Sequence, residues 1–389
     1  MKKYNFDEAI SRNNTLSVKW DMTKEVFGSA DLLPMWVADM DFRPPSEVIE
    51  ALKERIDHGI FGYTYSGEST ADSIKHWLER RHGWSIESSW VLYNSGVVPS
   101  IAAAIEAYTD PGDKVLLQSP VYAPFFEKIK SNNREVVNSP LILKDNRYEI
   151  DFADFEEKLK SGVKLFLLCN PHNPGGRVWT KEELLQLGEL CLKYNCLILS
   201  DEIHSDLIFK PNKHVPLVSL DERFKDMVIT CIAPTKTFNL AGLHASAVII
   251  ANEDMRKKFA SVLGRQGFFT LPALGIIGME AAYRHGDDWL EELLEYLKEN
   301  AEIAKTYIAE NIPNISVMEP DGTYLLWINC RGLGKSDTEI KELLVEKGKL
   351  GLEPGTKYGP GGEGFVRMNL GCTKETLKDG LDRLKKAFE

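Results

Sequence analysis

Four short polar clusters follow apolar, strand-like runs, and each contains residue types that could do chemistry. They are Asn94-Ser95-Gly96, the run Asn-Pro-His-Asn-Pro-Gly-Gly at 170–176, Ser200-Asp201-Glu202 and Pro234-Thr235-Lys236. In an open parallel sheet, ligands bind outside the carboxyl ends of the strands. The sequence therefore predicts that the four clusters meet at one edge of a sheet.

Each cluster on its own has a simpler explanation. A lysine such as Lys236 is normally solvated, and Asp201 could merely cap the next turn. The 170–176 run is typical of a turn, because proline fixes φ and glycine permits φ above zero. Asn94-Ser95-Gly96 is typical of the start of a helix. A function therefore depends on all four clusters lying together.

One cofactor, pyridoxal phosphate, would use all of them. It needs a Schiff-base lysine, an acid that keeps its ring nitrogen protonated, and an anion site. Lys236 and Asp201 can supply the first two. Backbone amides at a helix start bind phosphate without a basic side chain, and here they belong to Gly96, Val97 and Val98. Tyr122 could stack on the ring, and a buried core tyrosine is the alternative.

The elements that must position these residues alternate between about residues 90 and 252. Apolar strand candidates are 114–118, 164–170, 196–201, 227–233 and 246–251. Amphipathic helix candidates are 98–108, 122–131, 181–194 and 254–263. Fully apolar strands that alternate with helices predict an α/β fold with a mostly parallel central sheet and helices on both faces.

The C-terminal part has a different pattern. The segment 272–310 is helical by periodicity, with a break expected at 285–287. Strands at 324–329 and 365–370, a helix at 338–348 and a closing helix from 374 predict a smaller α+β domain. We expect three parts: residues 1–45 as an arm packed on the small domain, 46–285 as a large cofactor-binding domain, and 286–389 as the small domain.

Composition excludes several classes of protein. The 389 residues are 43% hydrophobic and 27% charged, as in ordinary globular proteins. A net charge of -11 opposes binding to nucleic acid or to an anionic membrane. No apolar run is long enough for a membrane span, and Asp7 and Glu8 interrupt any secretory signal. We expect a cytoplasmic protein whose six cysteines, with no CxxC pair, are reduced and mostly buried.

Several motifs resemble the class I/II aminotransferase superfamily of pyridoxal-phosphate enzymes. They are Ser-Asp-Glu-Ile-His at 200–204, Ala-Pro-Thr-Lys-Thr-Phe-Asn-Leu-Ala-Gly-Leu at 233–243, the 170–176 run and Phe-Val-Arg-Met-Asn at 365–369. The resemblance covers essentially the whole chain, with the motifs in the same order. It implies the aspartate aminotransferase-like fold of PLP-dependent transferases, fold type I.

Two further motifs resemble one branch of that superfamily, the carbon-sulfur β-lyases of MalY/PatB type. They are Leu-Pro-Met-Trp-Val-Ala-Asp-Met-Asp-Phe at 33–42 and Gly-Ile-Phe-Gly-Tyr-Thr at 59–64. Members of this branch act on cystathionine and other cysteine S-conjugates. The resemblance implies β-elimination that releases a thiol, pyruvate and ammonia, as in a cystathionine β-lyase.

The resemblance also implies roles at the cofactor. Lys236 would form the Schiff base and Asp201 would pair with the ring nitrogen. Asn173 would hydrogen-bond the ring hydroxyl, and Tyr122 would stack on the ring. Further cofactor contacts would come from His204 and Thr235, together with the helix-start amides.

The implied substrate contacts include a second subunit. Arg367 would clamp the substrate carboxylate, helped by Asn173 and by the backbone near Val37 and Ala38. Tyr63 would reach the cofactor of the neighbouring subunit in a homodimer with composite active sites. For Arg367 alone, a structural salt bridge is the alternative. Turn chemistry and the resemblance together predict cis peptides at Ser119-Pro120 and Asn173-Pro174.

The chain departs from the wider superfamily at three positions. Ala233 and His244 stand where many members carry a serine and an arginine on the phosphate, so the sequence does not identify what balances the phosphate charge. His204 stands where aminotransferases often carry a tyrosine, which favours a lyase over a transaminase. An aminotransferase remains the alternative enzyme, and a regulatory protein that binds a transcription factor the alternative of another class. A metal site at Asp201, Glu202 and His204 is disfavoured because no further ligand has suitable spacing.

Overall fold

A computed structural model describes residues 4–389 of the chain. Its strands are β1 Leu33–Pro34, β2 Val91–Asn94, β3 Lys114–Leu117, β4 Glu135–Asn138, β5 Ile142–Lys144, β6 Arg147–Glu149, β7 Leu165–Cys169, β8 Leu197–Asp201, β9 Val228–Ile232, β10 Ser246–Ile249, β11 Ser316–Val317, β12 Leu325–Asn329, β13 Leu350–Gly351, β14 Glu353–Pro354 and β15 Phe365–Asn369. Its α-helices are α1 Val18–Asp21, α2 Thr23–Phe27, α3 Ser46–His58, α4 Glu68–His82, α5 Val97–Tyr108, α6 Ala123–Ser131, α7 Phe152–Lys160, α8 Lys181–Lys193, α9 Pro234–Thr237, α10 Glu253–Arg265, α11 Ala273–His285, α12 Asp287–Asn311, α13 Asp337–Glu342 and α14 Lys374–Phe388. Within residues 4–389, none of the helices has both the length and the apolar character that crossing a membrane requires.

Seven strands form the central sheet, in the order β2-β10-β9-β8-β7-β3-β4. The pairs among β9, β8, β7, β3 and β4 are parallel, and β10 runs antiparallel to both β9 and β2. Successive residues of β7 face opposite sides of the sheet. Phe166 belongs to the hydrophobic cluster that contains Leu184 of α8, and Leu167 to the cluster that contains Ile101 of α5. The predicted mostly parallel sheet with helices on both faces is confirmed.

Five strands of this sheet were predicted from the sequence, whereas its two edge strands, β2 and β4, were not. Two of the four residues of β2 are only half-buried, and no residue of β4 is fully buried. An edge strand packs against fewer neighbours, so it lacks the continuous apolar run that marks a central strand.

The long C-terminal helical segment is interrupted at the predicted place. α11 ends at His285, α12 begins at Asp287, and Gly286 lies between them. A Cβ atom on Gly286 would lie 2.3 Å from the ring of Phe238. This close approach explains why the junction carries glycine.

The smaller unit is built on a second sheet, in the order β11-β12-β15-β14, with all pairs antiparallel. Trp327 and Phe365 stack across two of its strands with ring centroids 4.9 Å apart. Leu377 and Leu381 lie on the buried face of α14. The helix predicted at 338–348 is an α-helix only as far as Glu342 and continues as a π-helical turn over Leu343–Lys347.

The N-terminal segment contacts elements of the smaller unit. β1 pairs with β13 in parallel, with Leu33 opposite Leu350. The amide of Asn369 donates to the Met35 carbonyl at 2.9 Å, and the Phe6 ring meets the Trp289 ring of α12 at 5.6 Å. Residues 1–3 of the predicted arm lie outside the described residues. The three-part division at 45 and 285 stays a prediction.

Candidate active site

A cavity of about 580 Å³ opens at the carboxyl ends of β7 and β8, with walls from both sheets. Every predicted site residue except Tyr63 lines it, namely Val37, Ala38, Gly96, Val97, Val98, Tyr122, Asn173, Asp201, His204, Thr235, Lys236 and Arg367. The four polar clusters of the sequence therefore meet at one edge of the central sheet. Arg367 reaches the same cavity from β15 of the smaller sheet.

The turns that carry Tyr122 and Asn173 contain the two predicted cis peptides. Ser119-Pro120 and Asn173-Pro174 are both cis, which confirms the prediction. Asn170-Pro171 and Lys210-Pro211 are also cis, and the sequence analysis did not predict them.

Lys236 stands on a short helix that follows β9. Pro234 is the first residue of α9, a position where its missing N–H costs little. Nζ of Lys236 donates to the Ala38 carbonyl at 2.6 Å. Burial, reinforced by the charge of Arg367, lowers the pKa of Lys236 to about 8. A large fraction of this amine is therefore neutral, and able to accept a proton, at mildly alkaline pH.

Asp201 is the last residue of β8 and is 3% exposed. Its carboxylate accepts the amide of Ile203 at 3.2 Å. Burial raises the pKa of Asp201 to about 7 in spite of that hydrogen bond, and the charge of Glu202 acts in the same direction. A cation placed beside this carboxylate would restore its ionised form.

The start of α5 faces the cavity with unpaired backbone amides. The helix begins at Val97, so its first N–H groups have no partners within it. The Asn94 side chain holds the preceding turn by accepting the Ser95 amide at 2.8 Å. His244 also lines the cavity. This end of the cavity is suited to an anionic group.

Arg367 and Asn173 form a hydrogen-bonded pair in the wall. Nη1 of Arg367 donates to Oδ1 of Asn173 at 3.0 Å, and Nη2 donates to the Trp36 carbonyl at 2.7 Å. Arg367 is 3% exposed, and its Nε has no partner among the residues described. The guanidinium is thus fixed, and because it has five N–H donors and makes two hydrogen bonds, N–H groups of Nη1 and Nη2 remain for a ligand carboxylate.

The side chains of Tyr122 and His204, which line the cavity, are both neutral near neutral pH. Burial, with the charge of Asp201, raises the pKa of Tyr122 to about 12. Burial, with the charges of Lys236 and Arg367, lowers the pKa of His204 to about 3. His204 meets Tyr324 edge to face at 6.1 Å.

The backbone at Val37 and Ala38 is fixed by the small unit. The Asn369 side chain donates to the Val37 carbonyl at 2.5 Å. The Tyr324 hydroxyl donates to the Ala38 carbonyl at 3.1 Å, the same oxygen that accepts from Lys236. The 33–42 motif is therefore held against the Lys236 amine.

Tyr63 lies outside the cavity of its own chain. Its side chain is fully exposed, and neighbouring Ile60, Phe61 and Tyr65 are more than half exposed. No helix or strand covers residues 59–67. The structure thus places Tyr63 apart from the other site residues within one chain.

Comparison with known proteins identifies the family. The model of the aminotransferase class I and II family matches residues 30–384. The chain belongs to this family. It is 50% identical to cystathionine β-lyase PatB of Bacillus subtilis strain 168, over 99% of this chain and all of PatB. Protein MalY of Escherichia coli K12 is 34% identical over 99% of both chains.

A solved structure has nearly the same fold as this chain. Cystalysin from Treponema denticola, which contains a pyridoxal 5'-phosphate cofactor, superimposes with a TM-score of 0.96 at 37% identity, over 99% of this chain and 98% of cystalysin. The aspartate aminotransferase-like fold predicted from the sequence is confirmed.

Several residues in or beside the cavity of this chain were not predicted from the sequence. Tyr324, Glu353, Lys357 and Tyr358 come from the small unit, and all but Tyr324 line the cavity directly. None of them follows a strand of the central sheet, so the strand-end pattern could not find them. Their proximity to the 365–369 motif was the available signal.

Glu202 was weighed as a metal ligand with Asp201 and His204, and the structure gives it another role. It accepts the Ser200 hydroxyl at 2.8 Å and lies 2.8 Å from Nε2 of the buried His214. Among residues 4–389, no group of three or more histidine, cysteine, aspartate or glutamate side chains could hold a metal ion.

A second buried acid–histidine pair lies beside Lys236. Asp206 is 2.9 Å from Nε2 of His82 and accepts the Thr237 hydroxyl at 2.8 Å. The rings of His82 and His214 meet edge to face at 5.3 Å. A series of buried contacts therefore connects Thr237, next to Lys236, with Glu202, next to Asp201. These contacts were not predicted from the sequence.

Proposed function

We propose that this chain is a pyridoxal-phosphate-dependent carbon-sulfur β-lyase. It cleaves cystathionine and other cysteine S-conjugates and releases a thiol, pyruvate and ammonia. The observation that carries this function is the meeting of Lys236, Asp201 and Arg367 in one cavity, in a chain half identical to a cystathionine β-lyase.

The residues present fit pyridoxal phosphate. Lys236 offers an amine of lowered pKa for covalent attachment. Asp201 offers a buried carboxylate that a protonated ring nitrogen would stabilise as an anion. The free amides at the start of α5 would hold the phosphate. When bound, the cofactor supplies an electron sink that stabilises negative charge on the substrate α-carbon.

Arg367 orients the amino-acid substrate. Its guanidinium is already fixed by Asn173 and by the Trp36 carbonyl, so little side-chain entropy is lost when the substrate carboxylate binds. The N–H groups of Nη1 and Nη2 that these two contacts leave unused can make charge-assisted hydrogen bonds to that carboxylate. This contact fixes the carboxylate and thereby the direction of the α-hydrogen.

Lys236 moves the proton. Once the substrate amine has displaced Lys236 from the cofactor, the freed Lys236 amine, whose pKa burial lowers to about 8, would accept the proton of the α-carbon as a general base. The electron pair of that C–H bond forms a double bond to the β-carbon as the sulfur leaves with the C–S electrons. Water then converts the remaining unsaturated amine to pyruvate and ammonia. A thiolate is a good leaving group, so no second acid is required.

The experiment that tests this function separates lyase from transaminase. The pure holoenzyme is incubated with cystathionine, and pyruvate and free thiol are measured with and without a 2-oxo acid acceptor. We expect both products at equal rates under the two conditions. Amino-group transfer that depends on the acceptor, with no release of thiol, would establish the aminotransferase instead.

We further propose a homodimer with composite sites. The exposed segment at 59–67 supports it, because interfaces favour aromatic side chains such as Phe61, Tyr63 and Tyr65. Tyr63 of each chain would then enter the cavity of its partner. Recovery of activity when chains that lack Lys236 are mixed with chains that lack Tyr63 would test this arrangement.

The compartment and the domain division are proposals of the same kind. All six cysteines are unpaired and buried, as predicted from the sequence, which supports a reducing compartment such as the cytoplasm. The contacts of β1 with β13 support the arm at 1–45, and the break at Gly286 supports a boundary at 285.

A further inference from the structure

The outer part of the active-site cavity carries three charged side chains that the proposed chemistry does not use. They are Glu127 at the start of the second turn of α6, Glu353 on β14 and Lys357 in the turn after it, and all three line the cavity. Arg367 and Lys236 already serve the reacting half of the substrate. The outer group of charges is therefore available to the other half.

Glu353 holds two cations beside each other. It is the cross-strand partner of Arg367, with Oε2 3.8 Å from Nη2. Its other oxygen accepts Nζ of Lys357 at 2.7 Å. Lys357 and Arg367 thus contact different oxygens of one carboxylate. Their two positive charges exceed the single negative charge of Glu353 by one.

Lys357 combines a fixed position with access to the cavity. The Glu353 side chain is 9% exposed and the Lys357 side chain 50% exposed, so the anchor is buried and half of the lysine side chain is accessible. Among the described residues, Glu353 is the hydrogen-bond partner of Lys357, and an ammonium has three donors. Two donors remain for a ligand.

Glu127 approaches the same part of the cavity from the other wall. The turn that carries Lys357 packs on α6: the Val121 amide donates to the Tyr358 carbonyl at 2.9 Å, and a Cβ on Gly359 would lie 2.6 Å from the Phe126 ring. Glu127 is exposed and makes no ion pair with any residue from 4 to 389. A cation and an anion thus face the outer cavity from packed elements.

We propose that Lys357 and Glu127 form a distal subsite for the amino-acid end of the leaving thiol. Lys357 binds its carboxylate, Glu127 binds its ammonium, and Glu353 positions Lys357. The inference rests on the proposed β-lyase function and identifies the residues that would select cysteine S-conjugates whose thiol half is itself an amino acid. Cystathionine has this form, because each end carries a carboxylate and an ammonium.

The test compares substrates that differ only beyond the sulfur. For the holoenzyme, kcat/KM is measured with cystathionine, with S-(2-carboxyethyl)cysteine, with S-(2-aminoethyl)cysteine and with the neutral S-ethylcysteine. Lys357→Gln should lower the ratio of kcat/KM for cystathionine to that for S-ethylcysteine by about 10- to 100-fold, the range of a hydrogen bond to a charged group. The carboxyethyl substrate should lose as much and the aminoethyl substrate should not.

Glu127→Gln should instead impair the substrates that carry an ammonium beyond the sulfur. We expect its effect to be smaller than that of Lys357→Gln. The Glu127 side chain is exposed, so we expect the aminoethyl and cystathionine ratios to fall by about two- to fivefold. Lys357→Arg should recover most of the cystathionine ratio, and Lys258→Gln, on the exposed face of α10, is the matched control.

Two results separate failure of the subsite from failure of the β-lyase function. If wild-type enzyme releases thiol from cystathionine and S-ethylcysteine but Lys357→Gln leaves their ratio within twofold of wild type, the subsite is wrong. If wild-type enzyme releases thiol from none of the four substrates, the β-lyase function fails and the subsite fails with it.

Discussion

Burial shifts the pKa values of the two central ionisable groups of the site, Lys236 and Asp201, in opposite directions. The pKa of Lys236 falls to about 8 and that of Asp201 rises to about 7, because desolvation disfavours the charged form of either group. Both groups can therefore change charge near neutral pH. A cationic ring nitrogen beside Asp201 would keep that carboxylate ionised, and the Lys236 amine can act as a base whenever it is not bound to the cofactor.

Replacement of Lys236 by alanine should abolish turnover and the visible absorbance of lysine-linked cofactor. The change removes the point of attachment and the base together. Absorption spectra and thiol release are measured beside Lys258→Ala, an exposed lysine outside the cavity. A Lys236→Ala enzyme that keeps the lysine-linked chromophore would show that another lysine holds the cofactor.

Asp201→Asn should retain cofactor and lose at least about 100-fold in kcat, since an amide cannot stabilise a cationic ring nitrogen. Cofactor content by absorbance and kcat by pyruvate release are measured on the same preparation. Activity within a few-fold of wild type would remove Asp201 from this role.

The same substitution should change how stability depends on pH in cofactor-free protein. The folded pKa of Asp201, about 7, exceeds its ordinary value of 3.8, so the folded state binds more protons between these values. Wild-type stability should therefore fall with rising pH, by on the order of 1.4 kcal/mol per pH unit across the window from this group alone. Asp201→Asn should remove this slope, whereas the exposed control Asp31→Asn should keep it. Thermal unfolding at pH 5 and pH 8 provides the comparison, and equal shifts in both variants would contradict the assignment.

At the scale of elements, the site residues at strand ends could be predicted from the sequence, whereas the side-chain contacts between elements could not. β7, β8 and β9 read as continuous apolar runs, so Asn173, Asp201 and Lys236 could be placed at one edge in advance. The buried acid–histidine pairs combine residues from α4, the segment after β8 and α9. No periodicity links side chains so far apart in sequence, and only packing brings them together.

The Asp206–Thr237 hydrogen bond should position α9 and therefore Lys236. Thr237 is fully buried and donates to Asp206 at 2.8 Å. Thr237→Val leaves the Asp206 oxygen short of a donor, which costs about 1–3 kcal/mol of stability. We expect kcat to fall and KM to stay within about twofold, as measured by initial rates and thermal unfolding. Thr237→Ser keeps the hydroxyl and should restore kcat; equal losses in both variants would instead indicate a packing role.

At the scale of the whole molecule, the exposed aromatic segment is the feature that one chain leaves unexplained. Phe61, Tyr63 and Tyr65 lie in a loop and are exposed, and Phe269 is 80% exposed. Isolated exposed apolar residues are ordinary, but a cluster marks an interaction surface. A second copy of this chain fits the feature because the resemblance gives Tyr63 a place in a partner's cavity, which the fold of one chain does not provide.

Complementation between two inactive variants tests that arrangement. Lys236→Ala chains and Tyr63→Ala chains are mixed, and their subunits are exchanged at random. Half of the dimers are then mixed, and each has one site with both native residues, because the intact Lys236 of one chain meets the intact Tyr63 of the other. We expect recovery of about a quarter of wild-type activity, with subunit exchange followed separately by differently tagged chains. Proven exchange without any recovered activity would place Tyr63 in its own chain's chemistry or outside the site altogether.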